Sequence, residues 1–393
     1  MTPAARVQAA IEILDLVIAA ARSNGAPADR IVADWFRTRR FAGSKDRRAV
    51  RELAYAAIRA CGPVPPSGRA ALLRLAESDP SLVALFDGQG HGPAPIRDGE
   101  PVAAGGLAPA WLETALAESG IAGDAALALL DRAPLDLRVN RLKAERARLD
   151  LPEAAVPTVA PTGLRLPHGT NVESWEAYQS GQIEVQDTGS QLACAALAVQ
   201  PGELVVDLCA GAGGKTLALA AAMANRGRLI ASDTDRARLS RLEPRAVRAG
   251  VSIIETRLLD TGREGAALAD LAGSVDAVLV DAPCSGTGTW RRNPEARWRL
   301  TPDQLARYAA IQARLLDLAA NLLRPGGRLG FVTCSLLDAE GAGQAAAFLT
   351  RHSGWQALPL ALGAGEPRGP GLRLAPLADG TDGFFIACFA KPC

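Results

Sequence analysis

Leu204-Val-Val-Asp-Leu-Cys-Ala-Gly-Ala-Gly-Gly-Lys-Thr216 decides the fold. An apolar run ends in a glycine-rich turn, and the turn leads into an alanine- and leucine-rich stretch that reads as a helix from Lys215. Strand, tight turn and helix amino terminus in that order form the opening unit of an open α/β sheet. Downstream the alternation continues with strand 228–232, helix 236–249, strand 251–254, strand 277–280, helix 302–323 and strand 328–332. Residues 384–390 add a last strand, expected to run antiparallel. Strands alternating with helices predict a doubly wound, Rossmann-like parallel sheet with its ligands at the carboxyl ends of the strands. This domain is placed at residues 190–393.

Upstream of it the texture differs. Apolar residues recur at three and four positions from Ala4 to Cys61, as at Ile11, Leu14, Val17 and Ile18, which predicts a helical bundle. Asp46 is a candidate helix starter, and further helices are expected at 67–78 and 109–131, separated by a Gly/Pro-rich loop at 88–106. An all-α domain is therefore placed at 1–132. Short strand-like runs, Leu135-Asp-Leu-Arg-Val139 and Gly163-Leu-Arg-Leu166, suggest a small α+β connector at 133–189.

The chain has 393 residues, 48% of them apolar, which suits two or three ordinary packed cores. No apolar run approaches the roughly 20 residues of a membrane span, and no secretory leader is evident, so a cytoplasmic, membrane-free protein is expected. Seven cysteines without paired spacing suit reduced thiols rather than a disulfide framework or a metal site. With a net charge of +1 the molecule as a whole does not advertise a polyanionic partner. Arginine is nevertheless clustered at Arg37–Arg40, at Lys45-Asp-Arg47-Arg48 and from Arg291-Arg292 to Arg299, either as phosphate contacts or as solvated helix faces.

The glycine turn narrows the ligand. A P-loop would need glycine where Cys209 stands, and the third glycine of a dinucleotide fingerprint is replaced by Thr216. S-adenosylmethionine remains, its carboxylate suited to a helix amino terminus. Asp233, ending the second strand, is placed to accept from both ribose hydroxyls; Asp235 is its local competitor. Asp260 is a candidate for the adenine amino group or, equally, a solvated loop carboxylate.

Two further strand ends carry thiols: Cys284 in Asp281-Ala-Pro-Cys-Ser-Gly286 and Cys334 in Phe331-Val-Thr-Cys-Ser335. A lone cysteine is more often a small buried hydrophobe. A pair at neighbouring strand ends points to covalent chemistry on a pyrimidine, because a thiolate adding at C6 of cytosine makes C5 nucleophilic enough to take a methyl group. Asp281, beside Cys284, is a candidate for hydrogen bonding or protonating cytosine N3.

These residues resemble the bacterial RNA cytosine-C5 methyltransferases of the Fmu/Sun type, which act on 16S ribosomal RNA. The resemblance rests on Asp207–Thr216, Asp281–Gly286, Arg291-Arg-Asn-Pro294, Thr333-Cys-Ser335 and Asp382-Gly-Phe-Phe385, and extends over nearly the whole chain. Ser44-Lys-Asp-Arg-Arg-Ala-Val-Arg-Glu-Leu-Ala-Tyr55 resembles the NusB-like RNA-binding domain that precedes such enzymes, and Val185-Gln-Asp-Thr-Gly-Ser190 resembles their lead-in to the catalytic domain. By this resemblance Cys334 attacks C6, Cys284 assists proton removal from C5 and breakdown of the adduct, and Asp281 orients the base at N3. It likewise assigns Cys209, Ala210, Gly211, Ala212, Gly213, Gly214, Lys215, Asp233, Asp260 and Asp281 to S-adenosylmethionine. Lys215, Arg291, Arg292, Arg47 and Arg48 are expected to meet RNA, no metal is expected, and the protein is expected to be a monomer. Two departures stand out. Gly211-Ala212 replaces the family's usual Ala-Pro, which loosens the turn and bears on cofactor affinity, and Asn293 replaces a usual histidine. Transfer RNA as substrate, and a non-catalytic assembly factor, are the alternative readings.

Overall fold

The computed structural model describes residues 1–23 and 25–393. The chain divides into two units: Met1–Asp131 together with Thr289–Thr301, and Arg132–Gly288 together with Pro302–Cys393.

The first unit is helical. Helix Pro3–Arg22 begins where the Thr2 hydroxyl accepts from the Ala5 amide, with proline at its first position, and helix Gly68–Ser78 is capped likewise by Ser67. The first helix buries Val7, Ala10, Leu14, Val17 and Ile18 in one core with Val50, Ala54 and Ile58 of helix Ser44–Ala60 and with Leu72. Asp46 lies in the first turn of Ser44–Ala60 without capping it; its carboxylate accepts from the Met1 amino group (3.1 Å) and Arg6 Nε (2.9 Å). The expected helix at 109–131 is broken into Ala110–Glu118 and Gly123–Leu127, because Gly120, at φ +81°, closes the first of them.

Residues 289–301 complete this helical unit. Arg297 is fully buried and donates through Nη2 to the carbonyls of Ile58 (2.7 Å) and Cys61 (2.7 Å) at the end of helix Ser44–Ala60. The Ile58 carbonyl also accepts from the Cys61 amide (3.3 Å) at the helix cap, and a buried fork of donors completes that end. Glu295 Oε1 accepts from the Ala28 amide (3.0 Å) at the start of helix Ala28–Arg37, Arg299 donates to Gly25 and Ala26 carbonyls (2.8 and 2.7 Å), and Trp298 joins the apolar core. The arginine cluster expected to face RNA is thus largely internal: Arg291 is buried and Arg292 half-buried.

The second unit contains two sheets. The smaller is antiparallel, in the order β2 (Val156–Pro157), β3 (Gly163–Leu166), β1 (Leu135–Val139), β4 (Ile183–Val185). The larger contains β5 (Leu204–Asp207), β6 (Arg228–Asp233), β7 (Ile254–Leu258), β8 (Val275–Asp281), β9 (Leu323–Thr333), β10 (Gln356–Ala357), β11 (Glu366–Arg368), β12 (Gly371–Leu374) and β13 (Phe384–Ala390). Its order is β11-β12-β13-β9-β8-β5-β6-β7; β9 through β7 are parallel, and β13 pairs antiparallel with β9. Strand β7 starts three residues later than the sequence suggests, because Val251 donates back to Ala246 and closes the preceding helix past Gly250 (φ +72°). Val206, Val278, Val280 and Phe331 face a core with Leu315, Leu316 and Phe348, while Val205, Ala277, Leu279 and Val332 face one with Leu192, Leu197 and Leu219. Both faces are covered, as a parallel sheet requires. No helix among the described residues is long and apolar enough to cross a membrane.

Candidate active site

From β5 the chain winds outward through β6 to β7, then crosses to β8 on the other side of β5 and on to β9. The carboxyl ends of β5 and β8 therefore flank a topological switch point, where a crevice opens above the sheet. Asp207, Asp281 and Cys334 lie at or just past the ends of β5, β8 and β9.

After β5, Gly211 and Gly213 take φ of +55° and +84°, and a Cβ on Gly213 would lie 2.1 Å from Leu242 Cδ1. Gly213 is the cap of helix Gly214–Ala222, so its amides face the crevice. The turn is not loose: the Gly211 amide donates to Asp233 Oδ2 (2.7 Å), and Asp233 Oδ1 accepts from the Asp235 amide (2.7 Å). A carboxylate has about four acceptor sites, so both Asp233 oxygens retain capacity for a diol. Bare backbone at a helix amino terminus next to an acidic strand end fits S-adenosylmethionine. Asp260 lies exposed in the turn after β7.

Asp207 is fully buried; its Oδ2 accepts from Thr216 Oγ1 (2.7 Å), and burial pushes its carboxyl up to about 7. Such a group binds more protons folded than unfolded between 3.8 and about 7, so its contribution to stability declines as pH rises through that window. Asp207→Asn is accordingly expected to raise the melting temperature more at pH 8 than at pH 5. Equal shifts at both values would show that Asp207 does not titrate this way.

Lys215, in the first turn of helix Gly214–Ala222, places Nζ 2.6 Å from Asp281 Oδ2 and 5.6 Å from the Phe384 ring centroid. Burial works against its charge, but the negative charge of Asp281, with lesser contributions from Cys194 and Cys334, holds the ammonium above its ordinary range.

The Sγ atoms of Cys284 and Cys334 are 3.4 Å apart. The Cys284 thiol is pushed well above the ordinary range by its hydrogen bond to Cys334 and by burial. The two loops are stitched together: Ala282 donates to the Val332 carbonyl (2.9 Å), Gly288 to that of Cys334 (3.0 Å), and Ser335 Oγ lies 3.2 Å from the hydroxyls of both Ser285 and Thr287. Gly383 donates to the Gly288 carbonyl (2.8 Å) in a contact so close that a Cβ on Gly383 would lie 2.7 Å from Gly288 Cα. That approach accounts for glycine in Asp382-Gly-Phe-Phe385. Lys215, Asp281, Cys284 and Cys334 are thus gathered in one place, whereas Arg47 and Arg48 lie exposed on the helical unit.

Three residues here were not singled out from sequence: Glu340, Gln312 and Tyr308. Glu340 is fully buried and accepts from the Ser285 amide (2.9 Å), the Ser285 hydroxyl and Gln312 Nε2 (3.3 Å). It stands alone among alanines and glycines after Thr333-Cys-Ser335, and only its proximity to that motif could have drawn attention to it.

A family profile described as 16S rRNA methyltransferase RsmB/F matches residues 194–390. The chain is 33% identical over 330 residues to ribosomal RNA small subunit methyltransferase B of Sodalis glossinidius, covering 79% of this chain and 73% of that protein. It is 35% identical to a probable ribosomal RNA small subunit methyltransferase B of Synechocystis, over 65% of this chain and 60% of the relative. Among solved structures, a methyltransferase homologue from Pyrococcus horikoshii superposes with a TM-score of 0.60 at 28% identity, covering 72% of this chain and 99% of that one. With the glycine turn, the acidic strand ends and the paired thiols in place, these matches show that the chain belongs to the RsmB/F family of 16S rRNA methyltransferases, which use S-adenosylmethionine.

Proposed function

We propose that the protein transfers a methyl group to C5 of a cytosine in 16S ribosomal RNA through a transient bond between Cys334 and C6. The observation that carries this reading is the pair of sulfur atoms, 3.4 Å apart at the ends of adjacent parallel strands, beside the Lys215–Asp281 pair. Lys215 supplies positive charge near Cys334, the environment a nucleophilic thiolate needs. Its sulfur adds to C6, and the displaced π electrons make C5 nucleophilic. When bound, S-adenosylmethionine supplies the methyl group as an electrophile on a positively charged sulfur. Loss of the C5 proton then restores the C5=C6 bond as the C6–S bond breaks, and Cys284 assists that release. Asp281, held by Lys215, orients the base through N3. Cys209–Lys215, Asp233 and Asp260 are assigned to the cofactor, and exposed Arg47 and Arg48 to RNA phosphates. All seven cysteines are free thiols, which suits a cytoplasmic site of action.

The test is incubation with radiolabelled S-adenosylmethionine and total RNA from cells lacking the enzyme, followed by mapping of 5-methylcytosine. Label at a cytosine of 16S rRNA is expected. Label confined to transfer RNA would overturn the substrate, and label on any atom other than C5 would overturn the chemistry.

A further inference from the structure

We propose that Glu340 is a positioning residue for this reaction: its buried carboxylate fixes the Cys284 loop against the strand end bearing Cys334 and adds a negative group to the surroundings of the Cys284 thiol. The proposal rests on the covalent reading given above. Glu340 closes the short turn Asp338–Glu340 that follows β9, five residues past Ser335. Three donors converge on its two oxygens, the Ser285 amide, the Ser285 hydroxyl and Gln312 Nε2, a surrounding suited to an ionised carboxylate. Gln312 Nε2 also donates to the Pro283 carbonyl (2.9 Å), so Glu340 and Gln312 together hold the residues on both sides of Cys284.

The titratable groups acting on Cys284 include the Cys334 thiol and Glu340, and Tyr308 from helix Pro302–Leu322 lies within its field. None of these is a cation. The positive charge of Lys215 is instead directed at Asp281 and felt by Cys334. The two sulfurs, so close together, thus sit in unequal fields: a fixed negative charge on the Cys284 side and an ammonium on the Cys334 side. Cys334 becomes the nucleophile and Cys284 does not compete with it for C6. A protonated Cys284 next to the departing sulfur also balances product release. As the C6–S bond breaks, its electron pair goes to Cys334 sulfur, which takes the proton of Cys284. The Cys284 sulfur takes the proton lost from C5, and both thiols end intact.

The experiment measures iodoacetamide alkylation of each cysteine against pH in the folded protein without RNA or cofactor, resolved by peptide mass spectrometry. In the unsubstituted protein Cys284 is expected to react only well above the ordinary thiol range, at higher pH than Cys334. Glu340→Gln should lower the Cys284 midpoint by about one unit, and Glu340→Asp, which keeps the charge, should leave it within a few tenths. An unchanged Cys284 midpoint in Glu340→Gln, or an equal or reversed order in the unsubstituted protein, would overturn the proposal. The latter measurement decides the matter even where Glu340→Gln fails to fold. Should the midpoints behave as expected while Cys334→Ala retains turnover, the covalent reading falls and the electrostatic role of Glu340 stands.

Discussion

Cys334→Ala is expected to lower kcat for RNA methylation by at least about 10³-fold and to form no covalent complex with RNA, whereas Cys284→Ala should accumulate such a complex. Both expectations come from one geometry. Cytosine C5 does not take a methyl group unaided, so, on the proposed mechanism, removing the Cys334 sulfur removes the route to a nucleophilic C5. Removing the other sulfur, 3.4 Å away, spares addition and methyl transfer but takes away the group that helps release the product. The readout is a band of retarded mobility on a denaturing gel, sensitive to ribonuclease, together with initial rates. A retarded band from Cys334→Ala and none from Cys284→Ala would reverse the roles. Wild-type turnover in Cys334→Ala would end the mechanism altogether.

Much of this site was legible in the sequence because a parallel sheet advertises itself. Buried strands read as unbroken apolar runs, and the residue just past each run is delivered to the carboxyl edge, so Asp207, Asp233, Asp281 and Cys334 could be placed by counting. Gly213 signalled its turn through the need for a positive φ. Other features left weaker traces. Helix Ala342–Arg351, with Gly343 and a run of alanines, has too little apolar contrast for its period to register. Glu340 is buried by tertiary contacts from Ser285 and Gln312, both distant in sequence, and nothing in its neighbours marks it as internal. Arg297 misled for the opposite reason: arginine in a charged run reads as a solvated or RNA-facing group, yet its stem and fork are enclosed by helix ends.

Arg297→Ala is expected to destabilise the helical unit by about 2–4 kcal/mol, lowering its melting temperature by roughly 5–15 °C. The guanidinium is fully enclosed, and its enclosure pushes its pKa down to about 10, still leaving it cationic at neutral pH. It donates to carbonyls of Pro294, Ile58 and Cys61. Truncation takes a buried donor from each of those oxygens and opens a void where the side chain stood. Arg297→Lys should recover only part of the loss, since one ammonium cannot reproduce a planar fork. Calorimetry of the full chain provides the check; an unchanged transition in Arg297→Ala would show that these bonds contribute little.

Because residues 289–301 are threaded into the helical unit between stretches that belong to the other, neither unit corresponds to a continuous stretch of gene. A recombination event that swapped codons 1–131 alone would deliver a helical part missing the pieces that terminate its own helices. Such chimeras would be selected against at the level of folding, before any question of substrate arose. Inheritance of the two units is therefore expected to be joint, with exchange tolerated only when the thirteen-residue insert from Thr289 to Thr301 travels along with its helical host.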